Sequence, residues 1–80
     1  MRISALKYDP SFHPRAHECT AYLNGKKLKG CVTADDDIGE AICYEIDDNG
    51  NFFIDPNKPD EIKRVVLKGN VRIVVPFGFR

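Results

Sequence analysis

The sequence predicts an all-β fold: a small barrel or roll built from three antiparallel hairpins, with about five to seven strands and little or no helix. Three observations carry this expectation. Glycine-containing turns at Asn24-Gly25, Asn49-Gly50 and Gly69-Asn70 punctuate the chain. The runs that flank them are short and supply apolar residues at the two-residue period of a strand. The 80 residues also permit only one domain, residues 1–80, near the size at which a single hydrophobic core just suffices for independent folding.

Arg2 to Tyr8 reads as an edge strand, and the two prolines of Asp9-Pro10-Ser11-Phe12-His13-Pro14 enforce a loop after it. Glu18 to Leu23 and Lys26 to Thr33 form the first hairpin about a two-residue Asn24-Gly25 turn. That register puts Cys19, Ala21, Leu23, Leu28 and Val32 on a core face and Glu18, Thr20, Tyr22, Lys27, Lys29 and Cys31 on the other. Glu40 to Ile46 returns through Asn51 to Ile54. A type I turn at Asp48-Asn49 with Gly50 as a left-handed bulge residue aligns Ile42, Tyr44, Ile46, Phe52 and Ile54, whereas a simple two-residue turn would split them. Asp55 to Asp60 is a loop by composition. One helical turn at Pro59-Asp60-Glu61 then leads into a third hairpin, Ile62 to Lys68 with Val71 to Val75, whose two faces are both apolar.

Composition narrows the function classes. Apolar residues make up 42% of the chain, and a formal net charge of zero gives no reason to expect non-specific attraction to nucleic acid. No apolar run approaches membrane-spanning length, and Met1 to Lys7 lacks the apolar stretch of a secretory signal, so a cytosolic protein without membrane partners is expected. Cys19, Cys31 and Cys43 cannot all pair within one chain, which suits a reducing compartment better than a disulfide framework.

The charges are segregated along the chain. Residues 35 to 61 hold ten of the twelve carboxylates against one base, Lys58, while the remaining bases, Arg80 among them, meet only Asp9 and Glu18 outside that segment. Kept apart in space, these segments give an acidic end and a basic side suited to head-to-tail assembly; interleaved between strands, they give an ordinary mixed surface.

No catalytic residue, cofactor site or metal site is expected. Glu45 to Gly50 begins like a calcium loop, but Pro56 stands where the bidentate glutamate is needed. Asp35-Asp36-Asp37 reads as a polar turn at the head of the second hairpin, one aspartate bonding nearby backbone amides; capture of magnesium or calcium is the lesser alternative, since in an extended chain the carboxylates point in alternate directions and do not converge. His13, His17 and the three cysteines lack a compact zinc spacing, and the register sends Cys19 and Cys31 to opposite faces; Cys19 is expected in the core and Cys31 and Cys43 open to solvent or an interface. Two contact surfaces remain. Asp35, Asp36 and Asp37 with Phe77 and Phe79 of the tail Val74 to Arg80 suit protein contacts, the aromatics either folding back as a lid or docking into a neighbour. Tyr22, Lys27 and Lys29 form a basic, aromatic strand surface for single-stranded nucleic acid, although lysines there also protect a strand edge.

Tyr22 to Leu28, Cys31 to Ala41, Tyr44, Asp48-Asn49-Gly50 and Gly69 to Ile73 together resemble a group of small proteins of tailed bacteriophages and prophages. The shared order, strand, Asn/Asp-Gly, strand, Ala-Asp-Asp, Gly, strand, covers about residues 20 to 73. The resemblance implies a phage-related origin and carries over no catalytic residue. The expected function is therefore a non-enzymatic virion assembly or joining component, in the host cytoplasm or the virion, whose partners are copies of itself or other phage proteins. The alternative is a small host-cytoplasm module that binds nucleic acid or a host protein.

Overall fold

The structure is a computed structural model that describes residues 1–79; Arg80, counted above with the bases and the tail, lies outside the described residues. The strands are β1 (Arg2–Ser4), β2 (Thr20–Leu23), β3 (Lys26–Lys27), β4 (Cys31–Asp35), β5 (Glu40–Tyr44), β6 (Ile54–Asp55), β7 (Lys58–Ile62), β8 (Arg64–Lys68) and β9 (Val71–Val74). They form three antiparallel sheets ordered β1-β4-β5-β8, β3-β2-β9 and β6-β7. The all-β class is as expected. Among the described residues the nine strands exceed the expected number because the predicted strand Lys26 to Thr33 is broken into β3 and β4 and the predicted loop Asp55 to Asp60 supplies most of β7, and the sheets do not close into a barrel.

Two turns form as their residues dictate. Asn24 (φ 51) and Gly25 (φ 85) both adopt left-handed backbone, the requirement of a type I′ turn, and pair Tyr22 with Lys27 and Leu23 with Lys26. Gly50 (φ 80) donates its amide to the Asp47 carbonyl at 3.0 Å, and Asp47 N–H returns to the Asn51 carbonyl at 2.8 Å, which is the expected bulged turn. Its pairing extends only to Ile46 and Phe52.

The partners of the remaining strands differ from expectation. Gly30 (φ 69) turns the chain out of the β3-β2-β9 sheet, so the predicted strand Lys26 to Thr33 is cut and β4 crosses to the middle of the four-stranded sheet. The third hairpin does not form: β8 pairs with β5, and β9 pairs with β2. Gly69-Asn70 is a crossover between sheets, held by Gly69 N–H to the Gly39 carbonyl at 3.0 Å and by Asn70 N–H to Asn24 Oδ1 at 2.9 Å. The expected helical turn at Pro59 is strand β7, which pairs with β6 about Pro56-Asn57. Pro59 is tolerated because each strand of a two-stranded sheet has a free edge. Among the described residues the helical segment is a single 3-10 turn, Ala16–Glu18, and no helix is long and apolar enough to cross a membrane.

β1 is an edge strand, as expected, but ends at Ser4. The following loop folds back on it through Ser4 N–H to the Ser11 carbonyl (3.1 Å) and His13 N–H to the Ser4 carbonyl (2.9 Å). The buried apolar residues are Ile3, Ala21, Val32, Ala34, Ala41, Cys43 and Val71, and Leu23, Leu28, Cys31 and Ile73 pack against the cluster of Ala21, Ala34, Ala41 and Val71. Three alanines at the centre let the backbones of the two larger sheets approach closely, but each removes little apolar area from water. The buried polar groups are paired: Ser4 Oγ and Thr33 Oγ1 lie 2.8 Å apart, and Asp35 Oδ1 accepts from Asp37 N–H at 3.0 Å.

Candidate contact surfaces

The Asp35 to Asp37 loop links β4 to β5 and turns tightly at Gly39 (φ 67). That turn, absent from an extended chain, brings the three carboxylates together: one oxygen from each lies within 4.8 Å of the others. The polar turn is as expected, and the divergence argued for an extended chain does not apply to it. An all-oxygen set of this kind is the donor chemistry of calcium or magnesium. Here Asp35 Oδ1 caps the turn through Asp37 and Ile38 N–H groups (3.0 and 3.3 Å), while Asp36 and Asp37 take the α-amino group of Met1 at 2.7 and 2.5 Å.

The tail splits into two roles. Phe79 folds back onto the loop after β1, its ring centroid 4.4 Å from that of His13 and 5.6 Å from the Arg15 guanidinium carbon. Arg15 also donates to the Gly78 carbonyl at 3.2 Å. Phe77 is fully exposed, with exposed Val74 and Val75 close by in sequence. One aromatic is thus held and the other is presented.

Tyr22 and Lys27 do share a face, with Lys27 opposite Tyr22 on one side of β2. Arg72 faces Tyr22 from the other side, its guanidinium carbon 4.9 Å from the ring centroid. The row Lys27–Tyr22–Arg72 crosses the whole three-stranded sheet and adjoins a surface depression of about 380 Å³ between Tyr22, Gly25 and Arg72. Lys29 lies beyond β3, at the bend before Gly30. Sequence reasoning missed Arg72 because it paired β9 with β8; its alternation with Val71 and Ile73 was the available signal.

The face of β5 and β8 opposite the core carries Ile42 and Val66 as a cross-strand pair and Tyr44 opposite Arg64. Phe52 lies 5.3 Å from Tyr44, ring centroid to centroid, and packs against Gly30. Ile46, Phe52, Ile54 and Val66 remain exposed. At the end of this face Arg64 donates to Tyr8 Oη and to Glu61 Oε1 (3.2 Å), bordering a groove of about 300 Å³ with Leu6, Tyr44 and Ile62.

The cysteines differ from expectation. A β-bulge between Cys31 and Thr33 shifts the side-chain alternation, so Cys31 and Val32 both lie towards the core, and Cys43, opposite Cys31, is buried. Cys19 and Cys31 line one small cavity of about 30 Å³ between the sheets rather than opposite faces. Burial, with a smaller push from the Cys43 thiol, raises the Cys31 thiol to about 12, and burial also raises Cys19 and Cys43. His13 is engaged through its Nδ1, which accepts from Arg15 N–H at 3.0 Å.

Acids and bases distant in sequence meet in space. Arg2 lies 3.7 Å from Asp35, and Lys68 approaches Glu40 at 4.0 Å. These pairs follow the interleaved arrangement. Comparison with family models, curated protein sequences and solved structures found no match to this chain.

Proposed function

We propose that this chain is a non-enzymatic assembly component that acts through protein–protein contacts, first with copies of itself. The observation that supports the reading most is an inversion of side-chain size. Alanines and a cysteine occupy much of the core, whereas Tyr8, Ile38, Ile46, Phe52, Ile54, Val66, Val74, Val75 and Phe77 are exposed. A domain near the lower size limit with its larger apolar residues outside gains from covering them with another chain. Phe77 is the anchor, since an exposed aromatic brings much apolar area at a small cost in side-chain entropy. The Asp35 to Asp37 loop is the polar contact. The likeness to small phage and prophage proteins supplies the setting, a virion assembly or joining role in the host cytoplasm or the particle.

Size-exclusion chromatography with light scattering tests this reading over a range of concentrations. Wild type is expected to associate, and Phe77→Ser to shift the equilibrium towards monomer. A wild-type chain that stays monomeric at every concentration contradicts the proposal.

A second reading, a host-cytoplasm module for single-stranded nucleic acid, draws on the Lys27–Tyr22–Arg72 row. Two cations flanking an aromatic supply backbone neutralisation and a stacking platform. Fluorescence anisotropy with a single-stranded oligonucleotide tests it: binding that weakens with salt and is lost in Tyr22→Ala favours this reading, and no binding at low salt removes it.

A further inference from the structure

We propose that Cys31 and Cys43 are a dithiol that closes to a cross-strand disulfide, stapling β4 to β5 at the centre of the four-stranded sheet. The two residues are direct Cα partners. Tyr44 N–H bonds the Gly30 carbonyl at 2.9 Å, which makes the neighbouring Cys31–Cys43 pair a non-hydrogen-bonded one. In such pairs the Cα atoms stand about 4.5 Å apart, within the span a disulfide bridges. Both side chains lie on the core side, Cys43 buried and Cys31 packed against the apolar cluster, and the influence of the Cys43 thiol on Cys31 marks their proximity. Cys31 Sγ now donates to the Thr33 carbonyl at 3.2 Å, and rotation about its Cα–Cβ bond frees it.

The oxidant is a low-molecular-weight disulfide, RSSR. The Cys31 thiolate attacks one sulfur of RSSR, breaking its S–S bond and releasing RS⁻. The Cys43 thiolate then attacks Cys31 Sγ, forming the protein disulfide and expelling the second RS⁻. Two electrons pass from the cysteine pair to RSSR, and the two thiol protons end on two RSH. Burial and the raised thiol of Cys31 make this slow in the folded chain, so the bond forms during folding or local opening.

The test is to unfold the full chain and refold it in reduced and oxidised glutathione, alkylate free thiols, and digest with a protease that cuts before aspartate. Asp35, Asp36 and Asp37 lie between the two cysteines, so the fragments stay joined only through the bond. The expected result is a Cys31–Cys43 link with Cys19 alkylated, the same link in Cys19→Ser, none in Cys43→Ala, and a thermal midpoint raised by about 10 °C over the reduced chain. Three alkylated thiols, a lasting glutathione adduct, or a bond that includes Cys19 overturns the proposal.

Discussion

Gly39 and Gly69 meet backbone to backbone: the Gly69 amide donates to the Gly39 carbonyl at 3.0 Å, and a Cβ on Gly39 would collide with the Gly69 carbonyl oxygen. This contact lies one step beyond the Glu40–Lys68 pair of β5 and β8 and ties the β4–β5 turn to the β8–β9 crossover. Gly39 also has left-handed backbone at φ +67. Gly39→Ala is expected to cost about 3 kcal/mol or more, a large share of the stability of a small domain. Gly50→Ala, at φ +80 with open space around it, should cost only about 1 kcal/mol. Urea unfolding checks the contrast, and equal midpoints for the two variants would refute it.

Asp9 predicts the acid limb of stability. Its side chain is only 10% exposed, accepts from Arg2 at 2.9 Å and from Ser11 N–H at 2.8 Å, and is held below its ordinary 3.8 chiefly by the Arg2 guanidinium. A carboxylate depressed on folding stabilises fully above its unfolded value, and that stabilisation is lost as pH falls through the folded one. Asp9→Asn should therefore lower stability by about 1–2 kcal/mol near neutrality. The deficit should shrink as pH falls below 3.8. A constant deficit across the acid range would contradict the assignment.

The aspartate loop separates a capping residue from exposed ones. Asp35 is buried and accepts two turn amides, whereas the Asp37 side chain is 77% exposed. Asp35→Ala should cost about 1–2 kcal/mol in chemical denaturation, and Asp37→Ala should change stability little. The reverse order would show that the turn is held otherwise.

In the tail, Phe77 and Phe79 should respond differently. Phe79→Ala removes the ring beside His13 and Arg15, and is expected to raise amide exchange in residues 13 to 18 and 76 to 79. Phe77→Ser leaves monomer stability unchanged, since Phe77 is fully exposed. Equal effects on exchange would place both rings in the same role.

The parts of the fold legible in the sequence were local ones. Asn24-Gly25 and Asp47 to Gly50 specify their turns through left-handed backbone and short-range hydrogen bonds, so their geometry followed from residue type. Strand partners depend on distant contacts. Gly30 redirects β4, one bulge reverses the side on which Cys31 lies, and Gly69-Asn70 resembles a hairpin turn although its flanking strands find partners elsewhere. The candidate surfaces divide likewise: Tyr22 and Lys27 meet through a local turn, while Arg72 joins them through a pairing with no local signature. The polar turn at Asp35 to Asp37, with one aspartate accepting nearby amides, was legible from residue type, whereas the convergence of its three carboxylates depends on how Gly39 curls the loop.

Native mass spectrometry of the purified chain asks whether copies of it cover the exposed apolar surface around Phe77. A closed oligomer that dissociates in Phe77→Ser is the predicted spectrum. A monomer alone, in wild type and variant alike, would contradict it.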